Sequence, residues 1–158
     1  MQAVHGEAAQ LSALTLYDPW HDLASRPELT YGRTSLPGGA GGLWFPDMRA
    51  IAIDSGLGWI GARCALAHEL AHVDLQHSQC AGHSPGALRF AQRQERQATL
   101  LAAKRLLPVT FIAAHFAEDV YLADMAADLN VTEYLLRLRL QTLNDEERTV
   151  LPVRGCAA

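Results

Sequence analysis

Three short segments in the first third of the chain are bounded by turn-favouring residues: apolar and polar residues alternate in 29–33, while 42–45 and 50–53 contain no polar side chain. They predict three strands, at Leu29–Arg33, Gly42–Phe45 and Ala50–Asp54. The glycine-rich segment 37–42 has no following Lys-Ser/Thr and opens no helix, so we expect a flexible hairpin connection and not a phosphate-binding loop. Asp18 before Pro19 is the pattern of an N-cap and first helical residue, which predicts a short helix to about Ala24.

From position 58 onward the apolar residues follow a helical period. Two long helices are predicted, at Trp59–Gln76 and Leu88–Leu107, with Pro85-Gly86 as a breaker in the loop between them. Two further helices are predicted, with a turn at Asn130 between them. The first has an apolar stripe of Leu122, Met125, Ala126 and Leu129. The second is capped by Thr132 and has Leu136, Leu140 and Leu143 on one face. Strands first and helices after predict an α+β fold with a helical C-terminal extension.

Composition narrows the classes of protein that fit. The 158 residues, 49% apolar and 19% charged, are typical of one globular domain, or one with a small appendix, and exclude a disordered chain or a coiled-coil rod. Thirteen basic residues against 17 acidic ones give a net charge of −4, which disfavours direct nucleic-acid binding. No apolar stretch reaches the roughly 18 residues of a membrane span, so no membrane association is expected.

The cysteines indicate the compartment. Cys64, Cys80 and Cys156 are odd in number and lack the spacing of a disulfide framework, which is typical of free thiols in a reducing cytoplasm. The first residues lack the basic and apolar regions of a signal peptide. We therefore expect a cytoplasmic protein, with its oligomeric state left open.

The most informative motif is the run His-Glu-Leu-Ala-His at 68–72. Residues four apart in a helix lie one turn above each other, so His68 and His72 can direct both imidazoles at one metal ion. Glu69 lies about 100° round the helix, where a base must be to take a proton from a water molecule activated by the ion. The alternative is a surface helix that carries two histidines by chance; the uncharged, helix-favouring neighbours argue for the metal site.

A catalytic zinc needs a third protein ligand and an open fourth position. A metzincin would supply it through Gly and His at two positions where this chain has Leu75 and Ser78. His77, Cys80 and His83 are able to bind zinc as a separate site, but these three loop residues provide no fourth ligand. We therefore expect His77→Ala and His83→Ala to change metal occupancy little.

Glu95, on the next helix, is the better third ligand. Ala98 and Ala102 share its face, and such small residues let this helix pack close to the histidine-bearing one. The alternative is a solvated charge in the Arg- and Gln-rich run 92–97, and the residues alone leave both interpretations open.

The run HELAH, followed by E-x-x-A-x-x-L-A-A and L-L-P over Glu95–Pro108, resembles the ImmA/IrrE family of metallo-endopeptidases of prophages and mobile elements. The resemblance extends over most of residues 18–143. It implies Zn²⁺ bound by His68, His72 and Glu95, with Glu69 as general base. It also implies a minimal zincin at 1–108, a small antiparallel sheet packed on the two helices, followed by a helical extension at 109–158.

The resemblance further implies cleavage of a helix–turn–helix transcriptional repressor. Thr99 stands where the family usually has Asp or Asn to orient a metal-binding histidine, and Gln97 replaces a frequent Glu. Loss of such an outer contact typically costs about 10–100-fold in metal affinity or activity. A rival hypothesis is therefore a weakly catalytic or non-catalytic protein of this fold that regulates a repressor by binding it.

The remaining residues support narrower expectations. The segment 119–143 has helix–turn–helix spacing, but its four acids and two arginines favour packing or protein docking over DNA binding. An extended substrate is expected to add to the strand Ala50–Asp54. The candidate oxyanion stabilisers are His83, His115 and Tyr121. The aromatic residues expected in the core are Trp20, Trp44, Trp59, Phe111 and Phe116.

Overall fold

The computed structural model describes residues 16–78, 84–116 and 121–152. Three strands precede six of the seven described helices, which confirms the predicted α+β class. The strands are β1 Thr30–Thr34, β2 Gly42–Phe45 and β3 Ala50–Asp54. The helices are α1 Pro19–Ala24, α2 Trp59–Asp74, α3 Pro85–Leu106, α4 Val109–Ala114, α5 Leu122–Asp128, α6 Glu133–Gln141 and α7 Asp145–Val150.

The sheet is mixed, and in this detail the expectation of an antiparallel sheet was wrong. Its order is β1-β3-β2, with β3 parallel to β1 and antiparallel to β2. The glycine-rich segment therefore joins two strands that do not pair, and is not a hairpin connection. The hairpin is β2–β3, whose turn over Pro46–Met48 ends at Arg49 in the left-handed region, φ 48°. The residue composition of each short segment predicted a strand but carries no information about its partner.

Helix α2 lies between the sheet and the other helices. One side packs with Ile51 and Ile53 of the central strand, through Leu66 and Leu70. The other side contacts α3 and joins a second core cluster that extends to α6. Burial on both sides explains why α2 is rich in Ala and Leu and has little amphipathic pattern.

Helix α3 begins earlier than the sequence predicted. Ser84 is its N-cap and accepts a hydrogen bond from the Ala87 N–H, and Pro85 is the first helical residue. Pro85 was predicted to break structure, but proline suits the first turn, where its missing N–H has no helical partner. The helix has 22 residues and carries Glu95 in its middle.

The C-terminal helices pack on α3 through α6. Thr132 caps α6 by accepting from the Leu135 N–H, after a turn with Asn130 at φ 54°. Arg139 is buried, donates to the Leu107 carbonyl and pairs with Glu147. The predicted domain boundary at 108 stays a prediction, although one core cluster contains residues from both sides of it.

Three further features of the fold concern an aromatic residue, helix length and the cysteines. Trp59 was expected in the core, but it begins α2, is 62% exposed and stacks on Trp20. No helix among the described residues is both long and apolar enough to cross a membrane. Within the same residues the single cysteine, Cys64, is unpaired; Cys80 and Cys156 lie outside them.

Candidate metal centre

Two ligand-type side chains come from one face of α2. His68 and His72 are one turn apart, and their Nε2 atoms are 3.0 Å from each other. A tetrahedral zinc about 2.0–2.1 Å from each nitrogen would hold the two roughly 3.3 Å apart. The pair is thus spaced for one ion.

Glu95 of α3 supplies a carboxylate to the same point. Its Oε2 lies 3.1 Å from His68 Nε2 and its Oε1 lies 3.4 Å from His72 Nε2. One donor atom from each of the three residues lies within 4.8 Å of the others. Ala98 and Ala102, fully buried, allow the close approach of α3 to α2 that the sequence suggested.

The second ring nitrogen of each histidine has a partner. Thr99 donates its hydroxyl proton to the Glu95 carbonyl (2.8 Å), which leaves the oxygen as acceptor for His68 Nδ1 at 3.3 Å. His77 Nδ1 lies 3.0 Å from His72 Nδ1. When the proton of each ring is on Nδ1 and donated to these partners, both Nε2 lone pairs are available for a metal ion. The donor set of two imidazoles and one carboxylate fits a catalytic zinc site.

Glu69 lies beside the three candidate metal ligands and is buried, with 5% of the residue exposed. Burial raises the pKa of Glu69 to about 7, while nearby His72 lowers it, Glu95 raises it and the Trp44 main-chain N–H lowers it by hydrogen bonding. Such a carboxyl is poised between its two protonation states near neutral pH, as a general acid–base group requires.

The pKa values of Glu95 and His77 are also shifted, and the neighbouring histidines contribute to both shifts. Hydrogen bonds from His68 and His72 hold the pKa of Glu95 far below its usual range, which keeps the carboxylate ionised as a ligand. Burial and the neighbouring His72 lower the pKa of His77, against a hydrogen bond with Gln97.

A family model described as the IrrE N-terminal-like domain of a peptidase family matches residues 33–141. The match covers β2, β3, both site helices and α6, including all four predicted site residues. The chain belongs to this family. No curated protein matches the chain significantly. As an IrrE-like domain, the molecule is of metallopeptidase type, and the His68, His72 and Glu95 cluster is a possible metal site of such a hydrolase.

A cleft of about 940 Å³ opens over the site of this IrrE-like domain. Its walls are β2, α2, α3 and the start of α6. β3 was expected to receive the substrate, but it pairs on both sides and has no open edge. Of the described strands that line the cleft, β2 pairs only with β3 and forms an edge of the sheet.

The structure separates the remaining candidates. His115 contacts the Phe111 carbonyl and Tyr121 is 78% exposed; neither lines the cleft. His83 and Cys80 lie outside the described residues. Sequence reasoning missed Gly42, whose Cα faces the Glu69 side chain, and Tyr134, which lines the cleft from α6. A lone strand glycine was the only available signal for the first, and the second had none.

Proposed function

We propose that this IrrE-like domain is a zinc-dependent endopeptidase that cleaves a helix–turn–helix transcriptional repressor. The observation that carries the proposal is the convergence of His68, His72 and Glu95 beside the buried Glu69. Three protein ligands with an open fourth position are typical of catalytic zinc, and two imidazoles with one carboxylate are a common set. A cytoplasmic site of action follows from such a substrate.

The side chains divide the chemistry between them. When bound, Zn²⁺ would polarise the scissile carbonyl and lower the pKa of a water molecule. Glu69 accepts a proton from the attacking water and delivers it to the leaving amine. Its hydrogen bond from the Trp44 N–H fixes the carboxyl against β2, at the wall of the cleft.

The substrate is held as an added strand. β2 borders the cleft and its outer edge pairs with no other described strand, so an extended peptide can hydrogen-bond to main-chain groups of β2 other than the Trp44 N–H, which Glu69 already uses. A helix, or a strand already paired on both sides, offers no such free backbone. The target must therefore present an exposed, extended linker, which restricts cleavage to one or a few sites.

The net charge of the chain favours a basic protein as the substrate. The chain carries a net −4, and a DNA-binding repressor carries the opposite charge on its binding face. Attraction between them would speed encounter without contributing to the chemistry.

The test is co-incubation of the zinc-loaded chain with a helix–turn–helix repressor from the same genome, followed by intact-mass measurement. Discrete products are expected with zinc, and none with chelator or with Glu69→Gln, which keeps the shape and the ligands but cannot accept the proton. Loss of repressor function without cleavage, insensitive to chelator, would support the rival hypothesis of regulation by binding. General digestion of casein would contradict a dedicated target.

A further inference from the structure

His77 is a buried histidine that the proposed mechanism does not use. It is 8% exposed and follows the end of α2, five residues after His72. Its Nδ1 approaches Nδ1 of His72, on the opposite edge of the ring from the Nε2 that faces Glu95. His77 is therefore placed behind a ligand and not among the ligands.

The way α2 ends brings the two histidines together. Gln76 adopts the left-handed conformation, φ 54°, and its N–H donates to the Val73 carbonyl. The His77 N–H donates to the His72 carbonyl at 3.0 Å. These two bonds form a Schellman motif, in which the side chains of these two positions normally make an apolar contact. Here the contact is between two imidazoles.

Metal binding would fix the direction of the hydrogen bond between them. If His72 gives its Nε2 lone pair to an ion, its proton must be on Nδ1, and that N–H needs an acceptor. His77 Nδ1 is at 3.0 Å and can accept only if its own proton is on Nε2. The His77 side chain also has a hydrogen bond with Gln97 of α3.

We propose that His77 is the positioning residue that orients His72 for zinc, by accepting the proton of its Nδ1. The proposal rests on the proposed zinc site. Each ligand histidine then has its own outer partner: Thr99, a hydroxyl from α3, for His68, and His77, from the end of α2 itself, for His72. This reverses the expectation that removing His77 leaves metal occupancy unchanged.

The first experiment compares three variants with wild type by zinc competition against a chromophoric chelator. His77→Leu keeps an apolar filling but removes the acceptor, and zinc affinity should fall about 10–100-fold. His77→Asn places its amide oxygen near the position of Nδ1 and should recover most of that loss. Thr99→Val, which removes the partner of His68, is the matched comparison and should weaken zinc binding as His77→Leu does.

A packing role is distinguished by the metal-free proteins. Urea unfolding with chelator present should show similar stability for His77→Leu and His77→Asn, so that their difference in zinc affinity reports the acceptor. Wild-type zinc affinity in His77→Leu would overturn the proposal, as would equal losses in the Leu and Asn variants.

A measurement on the unmutated protein tests the role of His77 even if a variant does not fold. Long-range ¹H–¹⁵N spectra of the zinc-loaded chain should show the His72 proton on Nδ1 and the His77 proton on Nε2. A proton on His77 Nδ1 would overturn the proposal. If wild type binds no zinc, the proposed function fails with it; if it binds zinc without regard to His77, only the role of His77 fails.

Discussion

At Glu69, the burial that makes the carboxyl group a stronger base also makes the folded protein less stable when the group is ionised. Its pKa rises from 4.5 to about 7, so the folded state binds this proton more tightly than the unfolded state does. The associated stability is present below pH 4.5 and is lost as the pH rises through 7. A shift of this size corresponds to about 3 kcal/mol.

Glu69→Gln should therefore stabilise the metal-free protein in a pH-dependent way. At pH 8 we expect its free energy of unfolding to exceed that of wild type by up to about 3 kcal/mol, because the neutral amide removes a buried charge. Near pH 4.5 the two proteins should unfold at similar urea concentrations. An equal difference at both pH values would show that packing, and not ionisation, is responsible.

Glu95→Ala should lower zinc occupancy sharply, because it leaves two imidazoles as the only protein ligands. We expect substoichiometric zinc after dialysis, measured by atomic emission, with little change in the circular dichroism spectrum. Gln92→Ala is the control: it lies on the same helix, is exposed and does not line the cleft, so it should keep full occupancy. Full occupancy in Glu95→Ala would remove this residue from the ligand set.

Residue spacing predicted part of the site and left the rest open for a physical reason. His68, Glu69 and His72 lie on one helix, so their relative positions follow from helical geometry alone. Glu95 comes from a second helix, and its approach depends on how α3 packs on α2. His77 depends on a left-handed residue at the end of α2, a position usually marked by glycine and here occupied by Gln76.

Among the elements, β2 links the sheet to the chemistry through Gly42. A Cβ at this position would lie 2.7 Å from Glu69 Oε1 and 2.8 Å from its Cγ. Gly42→Ala must therefore displace a buried side chain whose carboxyl group has to be held in place for proton transfer.

We expect Gly42→Ala to lower kcat/KM by roughly 100-fold while zinc stays bound, since small misplacements of a catalytic group have effects of that size. Gly32→Ala in β1 is the matched control, because a Cβ there meets nothing within 4 Å. Activity on the repressor and zinc content are measured for both. Equal activity of the two variants would indicate that Glu69 tolerates the shift, or that it is not the base.

Local signals predicted the elements better than their arrangement. The bounds of β2 and β3 follow from short apolar runs and their flanking turns, and the N-caps at Asp18 and Thr132 begin helices as expected. The insertion of β3 between β1 and β2 depends on which strand pairing buries the most apolar surface against the helices. That is a property of the assembled core. The free edge of β2 could therefore not be read from the sequence.

In the whole molecule, the helix–turn–helix-like pair α5–α6 is used to complete the fold. Leu135 and Leu136 of α6 lie in the core, and the start of this helix forms a wall of the cleft. Arg139 is buried in its pairing with Glu147, and Arg137 is paired with Glu133 on its own helix. Neither arginine of α6 is therefore unpaired for contact with phosphate.

Long-range charge should act on the repressor and not on DNA. We expect no duplex binding by this chain in a mobility-shift assay, because its net charge is −4 and phosphate contacts need unpaired cations.

Cleavage of a basic repressor should slow as salt is raised, since screening shortens the reach of charge attraction from about 10 Å at 0.1 M to about 3 Å at 1 M. The fall should be in kcat/KM, with kcat nearly constant, because steering affects encounter and leaves Glu69 chemistry unchanged. An uncharged linker peptide from the same repressor is the matched substrate, and its cleavage should be almost independent of salt. A salt effect of equal size on both substrates would place it in the zinc site and not in the encounter.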